Sequence, residues 1–532
     1  MVNENIPEAP SVKTELKEEK LKFSINLQQN ITPLPEIREK TNVDLRYPLI
    51  LPYAYVHIYW DDIQGELIYN VEEPNLDDRE KEILELIKNG IEELINLSFI
   101  SVKEKESLIE YLEKNVGILL KEFGIKLEKN SYLKIMYYIY RDFIGMNKIE
   151  PLMNDYYIED IECNGVKSPL YIVHRRFGNI KTNIIYEEFD ELSNFVEKLA
   201  QKCGKYISYA TPLLDGSLPD GTRVNATFTE DVTSKGPTFS LRKFTKEPWS
   251  PIKLMQMGTV SAEMLAYLWL LIENGSNLLV VGSTGSGKTT FLNVLASFIS
   301  PQARIISIED TREIHLVHEN WLPSVARAGI GVVGAGGEKT GEITLFDLLR
   351  ESFRQRPDYV IVGEIRGKEA YVLFQGMASG HSSLGTMHAD DVATIIRRLE
   401  TPPINLSPSL VETLDAVCLM TFAKVKDKET RKLRAIEEII SVDENGKAKI
   451  NIPFSWDPRT NKFLFKKESN VLNEIVIKKG ISREKLDEEF NLRSKLLLKL
   501  YQENIFDFNE VQKIIHAYYK TPERVLKRFN LR

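Results

Sequence analysis

The sequence predicts an α/β protein organised around a parallel sheet, and three observations carry that reading. Apolar runs such as "NLLVVG", "ARIISIED" and "DYVIVGE" alternate with helical stretches, the order that builds a parallel sheet covered by helices on both faces. These runs end in glycine or acid, so polar chemistry gathers at the carboxyl ends of the strands. Between Leu278 and Phe298, "LLVVGSTGSGKTTFLNVLASF" reads as a buried strand, a glycine-rich turn and a helix.

The chain has 532 residues, too many for one core, and roughly three or four units are expected. Residues 1–45 mix Pro, Glu, Lys and Asn with few apolar side chains and are expected to form a flexible tail. Residues 46–148 open with β-branched and aromatic residues around a turn, Tyr47 to Pro74, which predict a small hairpin. Two amphipathic helices follow, over Leu76 to Ile100 and Glu106 to Ile125, with apolar residues spaced by three and four. Residues 149–244 turn to short strands such as "YIEDIECNG" and "TFSLRKF", a second, mixed α/β domain. "TKEPWSP" carries two prolines and marks a linker over 245–252. Residues 253–470 hold the parallel sheet, and 471–532 return to amphipathic helix as a terminal appendage. Within the sheet domain, "GIGVVGAGGEKTGEITLFDLL" places six glycines before helix resumes at Leu345, which predicts a mobile loop near the active site.

Composition narrows the function classes. The chain is 43% hydrophobic and 27% charged, with 69 basic against 77 acidic residues and a formal net charge of -8. That balance argues against continuous wrapping of nucleic acid. Cys163, Cys203 and Cys418 are far apart and form no C-x-x-C pair, so neither a disulfide framework nor a zinc site is expected. A cytoplasmic location fits. No apolar run approaches the ~20 residues a membrane helix needs, so membrane contact is expected through a partner.

The chemistry starts at Gly282 to Thr289, where the pattern G-x-x-x-x-G-K-[ST] is complete. Gly282, Gly285 and Gly287, with Ser283, Thr284 and Ser286 between them, let the backbone curl so that N–H groups face phosphate oxygens. Lys288 is expected to pair with β- and γ-phosphates, Thr289 to offer its hydroxyl to Mg²⁺, and Thr290 to complete the loop. In "RPDYVIVGEIRG", Glu364 at the end of an apolar strand is the expected metal-side carboxylate, partly through water. In "ARIISIEDTREI", one acid is expected to activate water; Glu309 is the first choice and Glu313 the alternative. His381 and His388 in "MASGHSSLGTMHAD" read together as γ-phosphate sensors, since H-x6-H differs from the usual H-E-x-x-H zinc spacing.

Taken in order, "GSTGSGKTT", "IEDTREI", "RPDYVIVGEIRG" and "SGHSSLGTMHAD" resemble the Walker A, aspartate box, Walker B and histidine box of the type II/type IV secretion ATPase superfamily. "HENWLPSVAR" resembles the archaeal branch, whose members assemble pilus-like filaments or drive the archaellum. The resemblance implies a RecA-like P-loop NTPase C-terminal domain, preceded by a mixed α/β domain that closes over ATP and a helical N-terminal region. It further implies a homohexamer that hydrolyses ATP with Mg²⁺ and pushes on a polytopic membrane platform protein, moving pilin-like subunits indirectly. Arg223 and Arg242 are the N-terminal-domain arginines that the resemblance brings to the phosphates. The tetracysteine zinc insertion of several bacterial relatives is missing, so no zinc is carried over. The leading expectation is a pilus or secretion motor; an archaellum motor and, further off, a DNA-transfer translocase are the alternatives.

Overall fold

The computed structural model describes residues 22–26, 31–35, 37, 39–94, 105–244, 248–327, 329, 341–425, 428–443, 446–466 and 468–532. Most of the tail expected over 1–45, residues 245–247 of the expected linker, and 330–340 of the glycine-rich loop lie outside the described residues. The chain divides into two compact units, Met1–Phe244 and Thr245–Arg532.

In the first unit, nine strands form one sheet: β1 (Asp44–Ile50), β2 (Ala54–Asp61), β3 (Glu66–Glu72), β4 (Ile158–Cys163), β5 (Pro169–His174), β6 (Gly178–Ile185), β7 (Leu213–Ser217), β8 (Arg223–Thr227) and β9 (Thr238–Arg242). Their order is β1-β2-β3-β6-β5-β4-β9-β8-β7. The small hairpin expected near Tyr47 is thus a three-stranded meander, and β3 pairs with β6 in parallel at Ile68↔Lys181 and Tyr69↔Thr182. That pairing corrects the separation of 46–148 from 149–244, because one sheet and one apolar core run through both. Helix Asp78–Leu94 buries Ile83, Leu84, Ile87 and Ile91, a single stripe at helical spacing, against that core.

The second unit carries β10 (Leu278–Val281), β11 (Ile305–Glu309), β12 (Trp321–Val325), β13 (Tyr359–Ile365), β14 (Ser382–Met387), β15 (Ala416–Val425), β16 (Lys428–Val442), β17 (Ala448–Asp457) and β18 (Lys462–Phe465). Their order is β12-β11-β13-β14-β10-β15-β16-β17-β18. From β12 to β15 the pairings are parallel, and from β15 to β18 antiparallel. The parallel part is the expected α/β sheet, its inner strands β10 and β11 buried on both faces while the edge strand β12 is largely open. Along β10, Leu278 and Val280 join one core while Leu279 and Val281 join another, as the two-residue period of a strand requires.

The terminal helices are not an appendage. Leu496, Leu497 and Leu500 of helix Arg483–Gln502 and Ile515 of helix Phe508–Lys520 are fully buried in the core that also holds helix Ala262–Glu273. Trp269 stacks on Phe298 at 5.2 Å between ring centres and meets Tyr518 at 5.3 Å.

Candidate active site

The loop after β10 is shaped by glycines that no other residue replaces cheaply. At Gly282, with φ 155°, a Cβ would lie 2.4 Å from the Met420 carbonyl oxygen and 2.6 Å from Ser286 Oγ. Gly287, with φ 90°, is the left-handed residue that opens helix Lys288–Ala296. No side chain caps that helix among the described residues, so its first-turn N–H groups remain available to an anion. Ser286 is buried and donates through Oγ to Ser283 O at 2.8 Å, while Ser283, Thr284 and Gly285 are exposed. Thr289 is half-buried and Thr290 exposed.

Sheet register brings distant side chains to this loop. Val281 of β10 pairs with Met387 of β14, which also pairs with Ile365 of β13, so the three strands end together. Gly282, His388 and Glu364 therefore share one edge. Lys288 Nζ donates to Ser283 O at 2.9 Å and lies 3.4 Å from His388 Nδ1. A lysine can only donate, so Nδ1 accepts and the imidazole proton sits on Nε2, which lies 3.1 Å from Glu364 Oε1 without hydrogen-bond alignment. Burial and the neighbouring Lys288 lower the His388 pKa despite Glu364, which keeps the ring neutral. Arg366 Nη2 donates to Glu364 Oε2 at 2.5 Å, and its Nη1 lies 3.6 Å from Asp310. Burial alone would raise the Glu364 pKa, but Arg366, His388 and Lys288 together hold it below the usual carboxylate range. Arg366 escaped the sequence reading, although it stands two residues past Glu364 in "VGEIRG".

The two acids weighed for water activation occupy different places. Glu309 is 1% exposed, and its Oε1 accepts from the backbone N–H groups of Glu313 and Ile314 at 2.8 and 2.9 Å. Burial pushes its pKa up to about 7 against those two amides. Glu309 thus ties down the turn on which Glu313 sits. Burial depresses the Lys288 pKa, and Glu364 and Glu313 are the carboxylates that oppose it. Of the two acids, Glu313 is the one whose charge reaches the phosphate-loop lysine.

His381 corrects the reading of two paired sensors. It precedes the first residue of β14 whereas His388 follows the last, and six strand residues separate their backbones by about 20 Å. Seven residues along a strand carry a side chain from one end of the sheet to the other. The His381 ring packs on Phe353 at 4.8 Å, away from the phosphate loop. Arg223 and Arg242 lie in the first unit as direct partners across β8 and β9. Arg223 Nη2 is 3.4 Å from Asp215 Oδ2, and Arg242 Nε donates to Asp160 Oδ1 at 3.1 Å.

Comparison with known proteins gives this arrangement a family. The family model described as "Type II/IV secretion system protein" matches residues 149–460. An uncharacterised protein of Methanocaldococcus jannaschii is 35% identical over 508 residues, covering 91% of this chain and 90% of that one. The type IV secretion system protein PtlH of Bordetella pertussis is 30% identical over 235 residues, covering 40% of this chain and 67% of its own. Among solved structures, the Legionella pneumophila ATPase DotB is 17% identical and covers 69% of this chain and 93% of its own, with a TM-score of 0.38. A match across more than half of the chain, together with a full-length relative, shows that the chain belongs to the type II/IV secretion system protein family.

Proposed function

We propose that the chain is an ATP-hydrolysing motor that powers assembly of a pilus-like filament or type II-like secretion, acting as a homohexamer on a polytopic membrane platform protein. The observation that carries this reading is the meeting of Lys288, His388 and Glu364 at the open end of a glycine loop on a buried parallel sheet. Lys288 exchanges the Ser283 carbonyl for β- and γ-phosphate oxygens. Glu313 takes a proton from the attacking water as the water oxygen bonds to the γ-phosphorus, and the bond to the β,γ-bridging oxygen breaks. The leaving ADP oxygen keeps the electron pair, its charge met by Lys288 and the loop N–H groups. His388, neutral with its proton at Nε2, donates to a γ-phosphate oxygen and so reports the loss of that phosphate.

Mg²⁺ fits the residues present. Thr289 presents a hydroxyl in the first helical turn, and Glu364 Oε1 is buried without an aligned donor. Thr289 and Glu364 would hold the ion, the latter partly through water, and the ion would supply charge neutralisation to the phosphates. Arg223 and Arg242 are proposed to leave Asp215 and Asp160 for phosphate oxygens, a fork-shaped charge suited to that exchange. No described helix is long and apolar enough to cross a membrane, so the membrane is proposed to be reached through the platform partner.

The test is ATP turnover by the purified chain with and without Lys288→Ala, beside complementation of a deletion strain. Turnover that disappears in the variant, with loss of thin filaments or secretion and intact swimming, supports the reading. Unchanged turnover in Lys288→Ala would sink the active site. Loss of swimming with filaments intact would transfer the role to an archaellum motor.

A further inference from the structure

The carboxylates, His388 and Arg366 all lie on one side of the phosphate loop, toward β13 and β14. In sheet order the other side of β10 belongs to β15 and β16. A triphosphate laid along the loop with its γ-end toward Glu364 must send its nucleoside the opposite way. Phe422 of β15 and Arg431 of β16 stand there as direct cross-strand partners. Phe422 is 47% exposed, so the face of its ring is open to a ligand. Its ring edge lies 3.5 Å from where a Cβ on Gly285 would be, so it borders the exposed crest of the loop. Arg431 Nε donates to Gly285 O at 2.9 Å, and its guanidinium carbon is 5.4 Å from the Phe422 ring centre. The same arginine fixes both the loop and the ring.

Resting on the proposed nucleotide site, we propose that Phe422, braced by Arg431, is the platform on which the base of the nucleoside triphosphate stacks. An aromatic face reads the area of a base rather than its edge. Purines are therefore held better than pyrimidines.

Titration calorimetry on the full chain, with Mg²⁺ present, compares ATP with inorganic tripolyphosphate, which has the phosphates and no base. In wild type, ATP binds more tightly than tripolyphosphate. Phe422→Ala and the volume-keeping Phe422→Leu weaken ATP about tenfold and leave tripolyphosphate within about twofold, while Phe422→Trp retains ATP. Equal loss of both ligands would reduce Phe422 to loop support and overturn the proposal, as would unchanged ATP affinity. Wild type that takes tripolyphosphate and ATP equally well overturns the platform alone. Wild type that takes neither overturns the nucleotide site itself.

Discussion

Two carboxylates of the second unit, the half-buried Glu364 and the fully buried Glu438, show how differently an acid can be held. Glu438 is 0% exposed and accepts from Tyr267 Oη at 2.6 Å, Asn451 Nδ2 at 2.7 Å, Asn470 N at 2.9 Å and Ser469 Oγ. Every donor is neutral, and each comes from an element that the knot binds to its neighbour. Glu364 faces Arg366, His388 and Lys288, with one oxygen left without an aligned donor. Saturation by neutral donors makes Glu438 a fastening. Cations and a spare lone pair leave Glu364 suited to the metal-side role proposed for it.

Exchanging the two roles gives the largest effects. Glu438→Ala strands several buried donors and is expected to cost about 3 kcal/mol of stability in urea unfolding followed by tryptophan fluorescence. Glu364→Ala is expected to change unfolding by less than about 1 kcal/mol, yet to lower ATP turnover at least about 100-fold. Equal stability losses would erase the contrast. The next pair sharpens it: Glu313→Gln is expected to lower kcat about 100-fold with ATP binding kept, and Glu309→Gln less than about threefold. A steady-state assay that finds the larger loss at Glu309 returns the water-activating role to that residue. Smaller again, His388→Ala is expected to lower kcat about tenfold and His381→Ala less than about twofold, measured under the same conditions.

The smallest effect is a pH dependence. Glu309 has its folded pKa raised from the ordinary value to about 7, so its protonated form is the one that folding favours. Its contribution to stability is complete below the unfolded carboxylate pKa and is lost as pH rises through about 7. Melting of the nucleotide-free protein is expected to fall across that window in wild type and to be flatter in Glu309→Gln. Identical slopes would remove the buried, protonated Glu309 from the account.

Much of the parallel sheet was legible because strand–loop–helix order and the glycine spacing are local in sequence. Lys288 and Glu364 follow from that order, since one opens the helix after the glycine loop and the other stands near the end of an apolar strand. His381 misled because seven residues are close on a loop and far apart on a strand, and the start of β14 at Ser382 is not marked by composition. Arg366 was hidden by its ordinary setting as a charged residue after a strand. The Glu438 knot was invisible for a different reason: Tyr267 lies 171 residues from its acceptor, and only the fold closes that distance. The β3–β6 pairing joins residues more than 100 positions apart and likewise leaves no local trace.

The packing of Trp269 has a consequence for the order of events at the ribosome. Phe298 follows that tryptophan soon after it is made, but the Tyr519 hydroxyl that its indole N–H reaches at 2.9 Å is 250 residues later. The phosphate loop between them is thus synthesised long before the helix behind it has its cover. A nascent chain must carry helix Ala262–Glu273 with an unfinished apolar face until helix Phe508–Lys520 has emerged. The core around Trp269 is completed only after helix Phe508–Lys520 has been made, and until then the apolar face of helix Ala262–Glu273 stays open to chaperones.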